Sequence, residues 1–591
     1  MGIVLTNEDN VQYLAFLDLA TNKSEVLKAE AGLDINGFDW SNDDEILFNV
    51  IKDGSYAYGL YRAELGNLRG HTAFLNFDAT TLVGIPKGRP DRAIVYIRQS
   101  ARGYNASGRL IELNTRHDAT PGKKHIPSAM ELKAYAIPGG NGVVSDWIAL
   151  HNGELGYAIT YKDLRQTLHR YDHAKDAWNQ TDLDLETYNI AGVDPDGYSL
   201  WVSHYEAPRG FILRKYDALT GSFSEPVWQD PVYDPGSGSL FFSKKTNQLL
   251  GFNYYQRRLF SHWMEESFAS AHAALQQRSP EADVALIDFD ESEQKLLFKI
   301  TGSQEPGRIV LLDLARKEII PISSNASWLR GRTLFPARPV NFKSRDGLDL
   351  EGYLTLPADA DAQHKAPLVI LPHSNLWKRD TLAFSPTVQF LASRGYAVLQ
   401  PNYRGSSGYM PAISRDGRYN VLLRHQDITD ATRATARLEM IDGSRMAIMG
   451  NGFAAYFALS GVAFEPGLYR CAVADDGIYD WNKFLRDSAN SRQPRQSEFF
   501  RDQLRATEKE GVNLKKISIS SRAETIQAPV LLSYEKSEKV FTQSLILRAA
   551  LEKHDRPHEI FLSNFYGQGQ EHIKNRTEYL ARLEAFLKKN L

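Results

Sequence analysis

One cysteine, Cys471, stands among 591 residues, so no disulfide can form within the chain and the redox compartment is left open. No apolar run approaches the ~20 residues that a membrane-crossing helix requires, so no membrane partner is expected. An excess of one charge is lacking as well. The 69 Lys and Arg against 72 Asp and Glu leave a formal net charge of −3, which gives no electrostatic case for nucleic acid. No Cys/His cluster has zinc spacing, no phosphate-binding loop occurs, and no G-x-G-x-x-G follows a strand, so neither metal nor cofactor is expected. The opening MGIVLTNEDN shows no basic segment running into an apolar one. The expectation is a soluble chain, cytoplasmic by default, with an exported form whose leader has been removed left open.

What the chain has in plenty is aromatic residues, 28 Tyr and 28 Phe, which suits β structure. From the start to about Ser324, short alternating strands are separated by clusters of Gly, Asn, Asp and Pro. One unit recurs, a strand ending in a polar or acidic residue, a turn and a second strand. It occurs at Asp18, Glu64, Asn114, Asp172, Asp217 and Asp313. The spacings are 46, 50, 58, 45 and then 96 residues, and RRLFSHW near Ser261 falls where the missing unit belongs. An acidic turn feeding an apolar strand alternates with it, at Asp43, Asp91, Asp196 and Glu291. A period of ~48 residues with about four strands per unit predicts a β-propeller of about seven blades over 1–325. His262–Gln277 breaks the pattern and predicts a helical insertion at a blade edge.

After a linker at 326–345 that also holds the start of the second domain, strand and helix alternate to the end of the chain. The apolar runs at Pro367–His373 and Tyr396–Gly405, RMAIMG, CAVADDG, PVLLSYE and EIFLSNFY predict buried parallel strands. Helical spacing predicts helices at Ser385–Gly395, Ile428–Ile441 and Phe453–Ala463, with an amphipathic one at the C-terminus. The pattern predicts an α/β domain over 346–591, a mostly parallel, doubly wound sheet with its site at the carboxyl ends of the strands.

Within that domain, MAIMGNGFAAYFAL (Met446–Leu459) reads as strand, glycine turn and helix. This is the setting of the G-x-S-x-G nucleophile elbow of the α/β-hydrolases, and Gly452 stands where the serine belongs.

The two halves together resemble the prolyl oligopeptidase family of serine peptidases, which includes dipeptidyl and acylaminoacyl peptidases. Leu371–Asp380 (LPHSNLWKRD) is similar to the H-G-G-P-W-x-R-D loop of the bacterial acylaminoacyl-peptidase-type branch. Phe390–Met410, Asp427–Arg433 and Ala463–Val473 also resemble that branch. The resemblance implies a seven-bladed propeller followed by an α/β-hydrolase domain, and it implies where a triad would stand. Gly452 takes the nucleophile position, Ser537 the acid position and Gln568 the position of the histidine. Glu538 and His572 are the neighbouring substitutes. His373, Ser374, Asn375, Phe453 and Tyr403 take the oxyanion and pocket positions, with Ser374 and Asn375 in place of two glycines.

A serine hydrolase needs a hydroxyl, an imidazole to take its proton and a carboxylate to orient the imidazole. Gly452 supplies no hydroxyl, Gln568 shuttles no proton near neutral pH, and Ser537 carries no charge. Loss of the nucleophile or base in such a unit lowers turnover by ~10⁶-fold. The expectation is a pseudoenzyme binding a peptide or protein in the cleft between its domains, with a homo-oligomer left open. Two rivals stand beside it. One is an active hydrolase with a relocated group drawn from Asp475, Asp476, Ser533, Glu535, Glu538, His373 and His572. The other is a scaffold whose propeller face binds a partner. The Arg-rich stretch Phe484–Arg505 is expected to be a solvated cover over the cleft.

Overall fold

The structure is a computed structural model. It describes all residues except 7–11, 20, 22, 29–32, 53–55, 69–71, 76–79, 99–107, 117–129, 140–142, 163–164, 375–377, 415–419, 491–499, 502–503, 505–510, 512, 536–539 and 564–572.

Small antiparallel sheets of consecutive strands follow one another through the first half, over residues 2–28, 33–75, 80–135, 143–180, 189–230, 239–263 and 283–324. This is the organisation of a β-propeller. The expectation of about seven blades with about four strands each holds only approximately: five sheets have four strands, whereas the first and the sixth have three among the described residues.

The recurring acidic residue has a local cause. Asp18 accepts from the backbone N–H and hydroxyl of Thr21, Asp172 from the N–H groups of Ala174 and Lys175, and Asp217 from those of Leu219 and Thr220. Asn114 and Asp313 hold Arg116 and Arg316 in the same way. Each side chain folds the hairpin turn back on its own strand, so the repeat in sequence is a repeat of turn chemistry. Ser261 lies in the strand Leu259–Trp263, the unit that lacks this marker. The predicted insertion is a helix at Glu266–Arg278, directly after that strand, where the sixth sheet lacks a fourth strand. Its buried Phe268, Ala271 and Leu275 pack in one cluster with Val284 and Phe298 of the last sheet.

The second half forms one eight-stranded sheet. Its strands are β1 (Ala337–Lys343), β2 (Asp349–Thr355), β3 (Ala366–Ile370), β4 (Ala397–Asn402), β5 (Ile441–Asn451), β6 (Cys471–Asp475), β7 (Val530–Glu535) and β8 (His558–Ser563). The order across the sheet is β1-β2-β4-β3-β5-β6-β7-β8. The pairs β1–β2 and β2–β4 are antiparallel and the remainder parallel. Helices cover both faces: α1 (Pro386–Ala392), α2 (Val421–Thr435), α3 (Phe453–Phe464), α4 (Trp481–Asn490), α5 (Val540–Lys553) and α6 (Ile573–Asn590). Alternate residues of one strand serve the two cores. Ile370 and Ile448 pack on the face with α3, while Val369 and Ala447 pack on the face with Leu583 and Phe586 of α6.

The helix expected over Ile428–Ile441 starts earlier and ends earlier. Asn420 caps α2 by accepting from the N–H groups of Leu422 and Leu423, and Ile441 already pairs with Ala366 in the sheet. Apolar spacing alone does not show that the sheet claims Ile441.

Candidate active site

Strand β5 delivers the chain to the elbow at the carboxyl edge of the sheet. Gly450 is confined there by packing, since a Cβ would lie 2.3 Å from the carbonyl oxygen of Ala454. Gly452 is different. Its backbone sits at φ +58°, ψ −120°, and among the described residues a Cβ built on it meets nothing within 4 Å. Backbone strain favours glycine at this position while no described residue would block a side chain. The turn keeps the form of a nucleophile elbow without its side chain.

Two contacts tie the elbow to the end of β6. The Gly452 N–H donates to the carbonyl of Asp475 at 2.8 Å, and the Asn451 side-chain amide donates to the buried carboxylate of Asp475 at 2.7 Å. Asp476 follows with φ +48°, a left-handed backbone unusual for a residue with a side chain, and its N–H donates to Ser533 on β7 at 3.0 Å. Asp475, Asp476 and Ser533 therefore share one edge with Gly452, as the relocated-group reading requires. Of the other candidates, Ser374 is exposed and Glu535 ends β7. Ser537, Glu538, Gln568, His572 and Asn375 lie outside the described residues.

Phe453 opens α3 and is buried rather than presented to the cleft. Its ring stands edge-on to Phe457 at 5.1 Å and tilted against Trp481 at 5.8 Å, with the Arg424 guanidinium 6.0 Å from its centre. The position expected to line a pocket instead fills an aromatic core that also holds Phe484 and Phe500. Phe484 opens the stretch expected to be a solvated cover, so that stretch starts in the core; most of the remainder lies outside the described residues.

His373 is buried and held in place on its Nε2 side. Its Nε2 lies 2.9 Å from the Ser406 hydroxyl, whose own proton goes to the Tyr403 carbonyl, so Nε2–H is the donor. Its Nδ1 faces the Tyr403 hydroxyl at 3.2 Å, and the two rings stack at 4.2 Å. The Tyr403 hydroxyl donates to the His373 carbonyl at 3.0 Å, so the histidine fastens the loop after β3 to the loop after β4 through Nε2, its backbone and the ring stack. Burial pushes the Tyr403 phenol well above its ordinary range. The Cys471 thiol, buried in β6, is pushed up to about 12, so it is a poor nucleophile.

The sequence reading missed the contact between the domains. Glu351 on β2 accepts from Arg379 at 2.8 Å, from the Tyr409 hydroxyl at 2.6 Å, and across the domain boundary from Tyr233 at 2.9 Å and Arg257 at 3.2 Å. Arg379 also donates to the propeller carbonyl of Gln256 at 2.9 Å and stacks over the Tyr409 ring at 4.0 Å. Arg379 lies in Leu371–Asp380 and Tyr409 in Phe390–Met410, two segments whose pattern points to the hydrolase domain and carries no mark of a contact with the propeller. Next to Arg379, burial pushes the Asp380 carboxyl up to about 7, opposed by Gln400 and Arg379, and its Oδ2 has no hydrogen-bond partner.

Among the described residues, no group of three His, Cys, Asp or Glu is placed to hold a metal ion. Nor is any described helix long and apolar enough to cross a membrane.

An elbow at the end of the fifth strand of this sheet, preceded by a propeller, defines a two-domain protein of the α/β-hydrolase class. The model described as "Prolyl oligopeptidase family" matches residues 382–591, so over that stretch the chain is similar to that family. Dipeptidyl aminopeptidase BIII of Pseudoxanthomonas mexicana is 30% identical over 325 residues, 53% of this chain and 46% of that protein. Dipeptidyl peptidase family member 6 of Caenorhabditis elegans is 25% identical over 37% of this chain and 32% of that protein. The match thus spans less than half the length of either relative. The solved structure of Pyrococcus horikoshii acylaminoacyl peptidase covers the whole chain and 94% of its own at a TM-score of 0.69, with 16% identity. At that identity the likeness is one of fold, a propeller joined to a hydrolase domain.

Proposed function

We propose that this protein is a pseudoenzyme of the prolyl oligopeptidase family that binds a peptide, free or within a partner protein, and does not hydrolyse it. The observation that carries the reading is Gly452, a residue without a side chain held in the strained backbone of a preserved elbow, with no described residue within 4 Å of the place where a serine side chain would begin. The residues at the acid and base positions, Ser537 and Gln568, point the same way by their chemistry. Retention of the elbow, its tie to Asp475 and the buried aromatic core behind it suits a scaffold kept for binding. The names of the relatives, a dipeptidyl aminopeptidase and an acylaminoacyl peptidase, support a peptide as the ligand class.

The test has two arms. A fluorophosphonate probe should leave the protein unlabelled, and calorimetry with short peptides should register binding with no cleavage product by mass spectrometry. Stoichiometric labelling, or turnover that survives Gly452→Ala, would overturn the reading in favour of a relocated group at Asp475, Asp476 or Ser533.

A further inference from the structure

A cavity of about 340 Å³ lies at the seam between the domains, apart from the elbow. The propeller contributes Glu186, Asn189, Tyr205 and Asp234, and the hydrolase domain contributes Ser407 and the 405–414 loop. Asp234 is its most telling residue. It is 4% exposed, and no ion pair reaches it among the described residues. Among the described residues its carboxylate is held by neutral donors only: the Asn189 amide at 2.6 Å, the Gly236 N–H at 2.8 Å and the Ser203 hydroxyl. Burial pushes its pKa up against those donors. Its own N–H donates to the Gly408 carbonyl at 3.0 Å, so the same residue fastens the two walls of the cavity together.

A buried carboxylate without a counter-charge is costly, and such groups are normally paired with a cation. Among the described lining residues there is no Lys, Arg or His, and the one other carboxylate is Glu186. The nearby Arg379 is committed to Glu351 and to propeller carbonyls. Hydroxyls and amides around Asp234 offer acceptors for further N–H donors, and the edge-on Tyr205–Phe211 pair, 5.3 Å apart, gives an apolar flank. We infer that this cavity binds an organic ammonium group, carried by a small free amine or by a peptide, with Asp234 as its counter-charge. Because the ligand touches both domains, its binding also ties them together.

The site shares no residue with the elbow, so it stands or falls independently of the proposed function. Calorimetry on the full chain with putrescine against 1,4-butanediol isolates the charge. Tri-alanine against N-acetyl-tri-alanine asks whether a peptide can carry it. Putrescine, tri-alanine or both should bind at least 10-fold more tightly than the uncharged counterpart, and binding should raise the melting temperature. Binding by putrescine alone assigns a free amine; binding by tri-alanine assigns a peptide amino terminus. Asp234→Asn should weaken binding at least 10-fold. Should that variant fail to fold, Glu186→Gln and the cavity-filling Ser407→Trp, on opposite walls, carry the test with the same sign. Equal affinity for charged and uncharged members of both pairs, no binding of either amine up to millimolar concentration, or binding that Ser407→Trp leaves intact would overturn the inference.

Discussion

Asn451 and Asp475 lie at the ends of neighbouring parallel strands and are joined by a 2.7 Å hydrogen bond from amide to buried carboxylate. The bond ties the residue before Gly452 to the adjacent strand. Asn451→Ala removes a donor from a carboxylate that is 4% exposed. The expected cost is about 1–3 kcal/mol, read as a lowered melting temperature, with peptide binding weakened in parallel. An unchanged melting temperature would mean that the tie contributes nothing to the elbow.

Gly452→Ser is expected to fold, because the added Cβ meets no described residue within 4 Å. It should still lose about 1–3 kcal/mol of stability to backbone strain at φ +58°. Neither peptide turnover nor fluorophosphonate labelling should appear, since Gln568 is no base. The triple variant Gly452→Ser, Ser537→Asp, Gln568→His is the one expected to show a trace of activity. Turnover by the single variant would place a working base elsewhere.

Glu351→Ala leaves the Arg379 guanidinium, with 7% of its side chain exposed, without its carboxylate. Breaking a buried pair from one side typically costs 3–5 kcal/mol. Because Tyr233 and Arg257 are released with it, solution scattering should also show a larger radius of gyration. Tyr233→Phe removes one bond only and should cost about 1.5–3 kcal/mol. Equal effects of the two variants would show that Glu351 is not the hub.

Asp380 gives a pH dependence of definite sign. Its carboxyl is raised from 3.8 to about 7 in the folded state, so that state holds a proton which the unfolded chain releases. The group therefore contributes stability at low pH that is lost as pH rises from about 4 to 7, at no more than about 1.4 kcal/mol per pH unit. Wild type minus Asp380→Asn, followed by thermal unfolding at stepped pH, should show this falling difference. A difference that is flat across the window would mean that the carboxyl is already ionised.

Much of the architecture was legible because it rests on local chemistry. The Asx turns at Asp18, Asp172, Asp217 and Asp313 repeat along the chain, and the buried parallel strands are continuous apolar runs. Strand count was less legible. The fourth strand of the sixth sheet is missing and a helix follows at Glu266–Arg278, and the spacing of markers registers a unit whether it has three strands or four. At the site, Gly452 could be placed by motif, but the roles of His373 and Phe453 could not. What holds His373 in place depends on Ser406 and Tyr403, thirty or more residues away in sequence.

By itself, then, the sequence determined the order of domains, the elbow and the absence of a nucleophile at Gly452, because each is written in adjacent residues. Only the tertiary structure decided that no described residue stands above Gly452, that Phe453 is core, and that Glu351 and Asp234 sit on the seam between the domains. Those facts depend on burial and on partners brought together from distant parts of the chain, and neither is encoded in any local pattern.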